Sequence, residues 1–352
     1  MNSSECSLSR IVNASLILQR EMISSPNISS FNMDKPSRYI LREWIIYPSY
    51  SEMKMFMVPT VLCFAVALFV TPSILFAILS NFSIRQETRF LLLANALLCD
   101  LVYLLFCTIL STLNVVNLTI SKHLCVLLLF VLAVTYSGAV LTAAAMVIDT
   151  YIAVLWPLHY LSILTRSRTK KVIILLWFSS FFFPAIVFLA LYFTQKPGPC
   201  PLEQCSLPAI LVITLHGDDS LKLCYILFVT IFLLCFSLIL CCYIVLWYKT
   251  RETGIWKSVS SRASITFLMH HTILFFYFSP LLLLLAESLL YISKVIGLRT
   301  GLWVSMTICN VLIVLPKAAS PCLYGLRYRE IYNSLRLFFR LNKHRTVAPV
   351  DV

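Results

Sequence analysis

Two ionisable residues stand inside stretches that are otherwise apolar. Asp100 lies in LLLANALLCDLVYLLF and Lys317 in VLIVLPKAASP. At the centre of a bilayer such a residue costs about 2.5–3.5 kcal/mol on insertion scales, so it is kept for function or neutralised by a partner. Asp100 suits the ligation of a cation or a hydrogen-bond hub; its bland alternative is a protonated carboxyl bonded to a neighbouring helix. Lys317 either snorkels towards the inner interface or pairs with a polar group of the second apolar stretch. Asp149 is the first charge after the apolar run 125–145, and Thr150 and Tyr151 follow it. It reads as a solvated cap or as a switch residue. Chemistry of the enzymatic kind is not encoded: there is no HExxH, GxSxG or P-loop pattern and no pair of intramembrane carboxylates. His270 and His271 are adjacent, so on a helix they point apart and cannot share a metal. No CxxC pair offers a zinc site. The expectation is neither an enzyme nor a metalloprotein.

What must position these residues is a set of membrane helices. Of 352 residues, 60% are hydrophobic and 12% charged, against about 25% charged in a soluble domain. The apolar residues form seven blocks, about 56–80, 90–113, 124–155, 172–193, 221–248, 262–286 and 301–325. Each reaches the length of about 20 residues that spans a bilayer. Backbone groups in lipid must be bonded internally, which makes each block a helix. The fold class is therefore an all-α membrane protein, a seven-helix bundle. Prolines at 72, 184, 280 and 321 fall inside the blocks and predict bends. Inner loops and C-terminal tail, with the helix end at Arg262, carry 16 Lys and Arg against five in the outer loops and the helix end at Lys222. This bias places the N-terminus outside, in a multi-pass plasma-membrane topology. The formal charge of +13 thus belongs to membrane lipid and not to nucleic acid.

Three parts follow: an extracellular tail, 1–55; the bundle, 56–325; and a cytoplasmic segment, 326–352. The tail lacks a signal-peptide layout and has sequons at Asn2, Asn13 and Asn27; a fourth, at Asn117, is in the first outer loop. All four are expected to be glycosylated, whereas the sequon at Asn81 faces inward. In 328–341, Ile331, Leu335, Phe338 and Phe339 share a face with Arg329, Arg336 and Arg340 alongside, the pattern of a short amphipathic helix on the inner membrane surface. No internal repeat is visible, which weakens a transporter built from duplicated halves.

The order and spacing of several motifs over roughly 55–340 resembles the rhodopsin-like G-protein-coupled receptors. Asp149-Thr150-Tyr151, with Pro157 six residues on, is similar to the Asp-Arg-Tyr segment ending the third helix. Asp100 resembles the helix-2 Asp, and Cys125 stands 25 residues before Thr150, as the helix-3 Cys does before the Arg. Trp177 resembles the helix-4 Trp, Phe232 and Tyr243 the helix-5 pair, Phe278 and Pro280 the helix-6 Trp-x-Pro bend. Ser320-Pro321-Cys322-Leu323-Tyr324 is similar to Asn-Pro-x-x-Tyr. AAAMVIDTYIAVLWPLHY and VLPKAASPCLYGLRYREIYNSL are most similar to odorant-receptor-type sequences and a nearby orphan group. The departures are Thr71-Pro72-Ser73 where helix 1 has Asn, Cys235 for the helix-5 Pro, Phe278 for the helix-6 Trp and Thr150 for the Arg.

The resemblance implies a receptor that takes a small, largely apolar ligand, in the chemosensory case an odorant, and signals through a heterotrimeric G protein. It implies a pocket between outer halves of helices 3, 5, 6 and 7: Leu129, Leu132, Ala133 and Tyr136; Leu227, Phe228 and Ile231; Phe278, Leu281, Leu282 and Leu285; Met306 and Asn310. Such apolar stripes equally mark plain helix packing. Leu132 stands where amine receptors carry Asp, so a cationic ligand finds no counter-charge. A retinal-binding Lys would stand at Val314, which disfavours an opsin. The implied switch set is Asp100, Asp149, Thr150, Tyr151, Tyr243, Phe278, Pro280, Ser320, Pro321 and Tyr324. The implied ion is a sodium at Asp100; no other cofactor is expected. Cys125 is implied to bond Cys205 or Cys200, with the leftover Cys pairing with Cys6 or staying free. Thr150 cannot make the charged contact of the Arg, which predicts weak coupling. The alternatives are a non-chemosensory orphan or weakly coupling receptor, and a seven-helix transporter or channel.

Overall fold

The computed structural model describes residues 50–116, 121–156, 158–163, 165–194, 205, 219–252, 261–293, 295–296 and 298–327. These form long helices, with no strand among the described residues. The helices are α1 (Tyr50–Ser80), α2 (Thr88–Val115), α3 (Lys122–Leu155), α4 (Arg166–Thr194), α5 (Asp219–Glu252) and α6 (Ser261–Ile292). The last, α7, runs as Leu298–Thr307, a π-helical turn Ile308–Leu312 and Val314–Arg327. Two short helices, Phe82–Gln86 and Tyr160–Ile163, lie between α1 and α2 and between α3 and α4. Six of the long helices contain an apolar span of membrane length; in α5 the apolar stretch among the described residues is Phe236–Val245.

Burial is inverted relative to a protein surrounded by water. Phe69, Ile174, Phe178, Leu234 and Phe275 are exposed, while Asn95, Asp100, Thr142, Lys317 and Ser320 are buried. Large apolar side chains on the outside match a hydrocarbon solvent, and ionisable groups in such helices face the bundle interior. Among the long helices, α3 packs against α2, α4, α5 and α6, and α7 against α1, α2 and α6.

Most block boundaries lengthen in the structure. The spans continue into the interface as helix, so α1 begins at Tyr50 and α6 ends at Ile292. The extension of α6 brings Glu287 into the helix, where the Ser305 hydroxyl donates to its Oε2 at 2.7 Å and links α6 to α7. Ser121 caps α3: its hydroxyl accepts from the Leu124 N–H at 3.3 Å, satisfying one of the donors a helix start leaves open. Pro184 and Pro280 are accommodated inside continuous helices. In α7 the Ile313 N–H reaches back to the Ile308 carbonyl at 3.0 Å, the wide turn typical of a π-bulge, often found at functional sites.

A polar chain crosses the half of the bundle remote from Cys205. The Trp177 indole N–H on α4 donates to Asn95 Oδ1 at 2.8 Å, and Asn95 Nδ2 donates to Thr142 Oγ1 on α3 at 2.8 Å. Thr142 in turn donates to the Gly138 carbonyl at 2.6 Å. Gly138 itself permits the close approach of α2, because a Cβ there would meet Cys99 Sγ at 3.1 Å. Trp177 therefore fastens α4 to α2 and α3 in the same chain of bonds.

Tail residues 1–49, including Cys6, Asn2, Asn13 and Asn27, lie outside the described residues, as do Asn117, Pro157, Cys200 and the amphipathic segment 328–341.

Candidate functional site

Asp100 and Lys317 meet in the middle of the bundle. Asp100 is 2% exposed and Lys317 1%, and Lys317 Nζ lies 2.7 Å from Asp100 Oδ1. The second oxygen, Oδ2, accepts from the Ser320 hydroxyl at 3.1 Å and from the Tyr277 hydroxyl. Three rings surround the ammonium, Tyr103 at 4.7 Å and Tyr136 and Tyr277 at 5.0 Å each, positioned for cation–π attraction. The Tyr136 hydroxyl donates to the Tyr277 carbonyl at 2.9 Å. The hub thus draws on α2, α3, α6 and α7. A buried pair of this kind is tolerated because the second carboxylate oxygen is hydrogen-bonded as well and the ammonium faces three rings.

The two sequence alternatives for Lys317 resolve in favour of pairing with the second span, since it does not snorkel. The sodium ion implied at Asp100 does not fit these residues. One carboxylate oxygen already receives an ammonium and the other two hydroxyls. Asp100 and Lys317 neutralise one another, so an added cation would stand uncompensated among buried aromatic rings, a costly arrangement.

Above the hub, on the side of Cys205, a cleft of about 40 Å³ opens between α2, α3 and α7. It is lined by Tyr103, Cys107, Leu110, Ser111 and Asn114 from α2, by Leu132 from α3, by Met306, Cys309 and Asn310 from α7, and by Cys205. The buried Tyr103 hydroxyl has no hydrogen-bond partner among the described residues. Cys125 and Cys205 are disulfide-bonded, with Cα atoms 5.7 Å apart. Asn114 holds the same loop residue from α2: its amide donates to the Cys205 carbonyl at 2.6 Å and accepts the Cys205 N–H at 3.1 Å. Cys205 is therefore fastened beside the cleft at two points.

The expected pocket of helices 3, 5, 6 and 7 overlaps this cleft in part. Leu132, Met306 and Asn310 line the cleft as anticipated. Leu129 is buried in the adjoining core, and Ala133, Leu281, Leu282 and Leu285 are half-buried. Tyr136 belongs to the hub, and Phe278 is packed against Phe236 with ring centroids 5.5 Å apart. These contacts, the Phe236–Phe278 pair and the Tyr136–Tyr277 bond, tie α5 and α3 to α6. Leu227 is 52% exposed on the outer surface of α5, while the side chains of Phe228 and Ile231 lie outside the described ones, as do those of Phe232, Cys235, His270 and His271.

At the C-terminal end of α3, Asp149 is buried and not a solvated cap. Its Oδ1 accepts from the Tyr160 hydroxyl of the short helix Tyr160–Ile163 at 2.9 Å. Burial, together with the Asp149 carboxylate, pushes the Tyr160 phenol above its ordinary range, so it stays a donor at neutral pH. Thr150 Oγ1 donates to the Met146 carbonyl of its own helix at 2.9 Å, and the Tyr151 ring meets Trp156 edge-on at 6.3 Å. Tyr243 is half-buried on α5. Pro280, Pro321 and Tyr324 are buried.

Sequence reasoning missed Tyr103, Cys107, Ser111 and Asn114. They follow Asp100 at intervals of three, seven, eleven and fourteen, the spacing of one helix face, so the signal was present. Tyr277, beside the singled-out Phe278, had none that separated it from its aromatic neighbours.

Comparison with known proteins agrees with this architecture. Residues 72–324 match the family described as 7 transmembrane receptor (rhodopsin family). The chain belongs to that family. Its bundle is accordingly a seven-transmembrane one, and its members are receptors, not enzymes. The chain is 29% identical over 297 residues to the human protein named Probable G-protein coupled receptor 148, covering 83% of this chain and 84% of that one. It is 30% identical over 168 residues to human Olfactory receptor 4K3, covering 46% of this chain and 51% of the receptor.

Proposed function

We propose that this receptor stands in the plasma membrane with its N-terminus outside, takes a small, largely apolar ligand into the cleft between α2, α3 and α7, and signals through a heterotrimeric G protein. The observation that carries the reading is the cleft itself, roofed by the disulfide-bonded Cys205 and floored by Tyr103. Its walls mix apolar side chains with a few polar points, the composition of small-molecule sites. The Tyr103 hydroxyl supplies a donor for a ligand carbonyl, ether or hydroxyl. No acidic side chain is among the lining residues, which again disfavours a cationic ligand.

At about 40 Å³ the cleft has room for only a few waters, so this is a closed state. A ligand that widens it acts through its better affinity for the wider form, and only that difference moves the equilibrium. The hub lies directly below, where α6 and α7 join α2 and α3. Movement of Tyr103 against Lys317 is the shortest physical link from the cleft to α6.

An odorant as ligand is the narrower reading. It is supported by the likeness to an olfactory receptor, which covers less than half of the chain.

Thr150 predicts weak coupling, since its hydroxyl is already bonded within α3 and carries no charge to offer a partner. Guanine-nucleotide exchange on a panel of purified G proteins, measured with the reconstituted receptor, tests this. Thr150→Arg is expected to raise exchange several-fold above a low wild-type rate. Absence of exchange on every G protein, in both forms, contradicts the reading.

A further inference from the structure

Most of the charge chemistry of this bundle is concentrated where the family resemblance implies an exchangeable sodium ion. We infer that Lys317 is a covalently attached resident cation, and that this receptor holds its α2–α6–α7 junction without any dissolved metal ion. Lys317 Nζ sits 2.7 Å from Asp100 Oδ1, at the distance of a charge-assisted hydrogen bond. The ring faces of Tyr103, Tyr136 and Tyr277 close round the same ammonium at 4.7–5.0 Å. The other carboxylate oxygen is committed to Tyr277 and Ser320. Each donor comes from a different element or turn, so the carboxylate is enclosed rather than left open to water.

A tethered cation differs from a dissolved one in a way that can be measured. A dissolved ion stabilises by mass action, in proportion to its concentration over its dissociation constant. An attached ammonium has no such dependence. Ligand-driven rearrangement of the hub would then need only a change of partner by Lys317, with no ion leaving or entering. In the wild-type receptor the response to salt is therefore set by ionic strength and not by the identity of the cation.

The experiment is thermal unfolding of the purified full-length receptor in matched sodium chloride and choline chloride. The wild type is expected to unfold at the same temperature in both. Lys317→Met vacates the ammonium position while keeping a side chain of similar length. That variant is expected to unfold several degrees higher in sodium than in choline, and Asp100→Asn added to it is expected to abolish the difference. A sodium-specific rise in the wild type, removed by Asp100→Asn, overturns the inference. So does a folded Lys317→Met receptor that unfolds identically in the two salts, because Asp100 is then no cation site. Should Lys317→Met fail to fold in either salt, the wild-type comparison decides alone.

Discussion

Lys317→Met in sodium-free buffer will destabilise the receptor by about 3–5 kcal/mol, the cost of stranding one member of a buried ion pair. Asp100 would keep its Tyr277 and Ser320 hydroxyl donors but lose the one positive charge placed against it. Asp100→Asn will cost a similar amount from the other side, leaving the ammonium without its carboxylate among three tyrosine rings. The informative form is the double substitution Asp100→Asn with Lys317→Met. It removes both charges, keeps the volume, and leaves an amide to pair with Tyr277 and Ser320. Replacement of a whole buried pair by neutral groups is often close to neutral, so the double variant should regain most of the loss. Thermal unfolding of the four proteins gives the coupling directly. A double variant as unstable as the sum of the singles would show that the two residues do not act as a pair.

Loss of the Cys125–Cys205 bond will have the next largest effect. The bond closes a loop of 80 residues, and the chain-entropy account gives about 4 kcal/mol for such a length. Membrane insertion already restricts α3 and α4, so about 2–3 kcal/mol is the expected net loss, within the range for native disulfides. Cys125→Ala and Cys205→Ala should lower the unfolding temperature equally, and the double variant no further. Asn114 would still hold the Cys205 backbone, so the loop should remain near α2 while its tie to α3 is gone. Unequal single effects, or additive ones, would mean that the thiols act separately.

Much of this was readable before any coordinates. Two charges in apolar stretches each demanded a partner, and Asp100 and Lys317 proved to be each other's. Polar residues betray the inward face of a membrane helix: Asn95, Asp100, Tyr103, Ser111 and Asn114 mark one side of α2. What could not be read was the rotation of helices with apolar faces all round. Lipid is as apolar as a leucine side chain, so a Leu stripe does not distinguish bundle from bilayer. Leu227 faces out although its stripe suggested a pocket. The position of the cleft was hidden for the same reason. It depends on how aromatic residues pair between helices, as Tyr136 does with Tyr277 and Phe236 with Phe278. The sodium ion is implied by the family pattern alone, and on our inference Lys317 of α7 stands in its place.

The central claim is that the cleft between α2, α3 and α7 opens to the outside of the cell. Ser111, half-buried in its wall, provides the test. A Ser111→Cys receptor in intact cells, treated with a membrane-impermeant thiol reagent, should be labelled from outside well above the wild-type background. Labelling that requires permeabilised cells, with access only from the cytoplasm, would contradict the account.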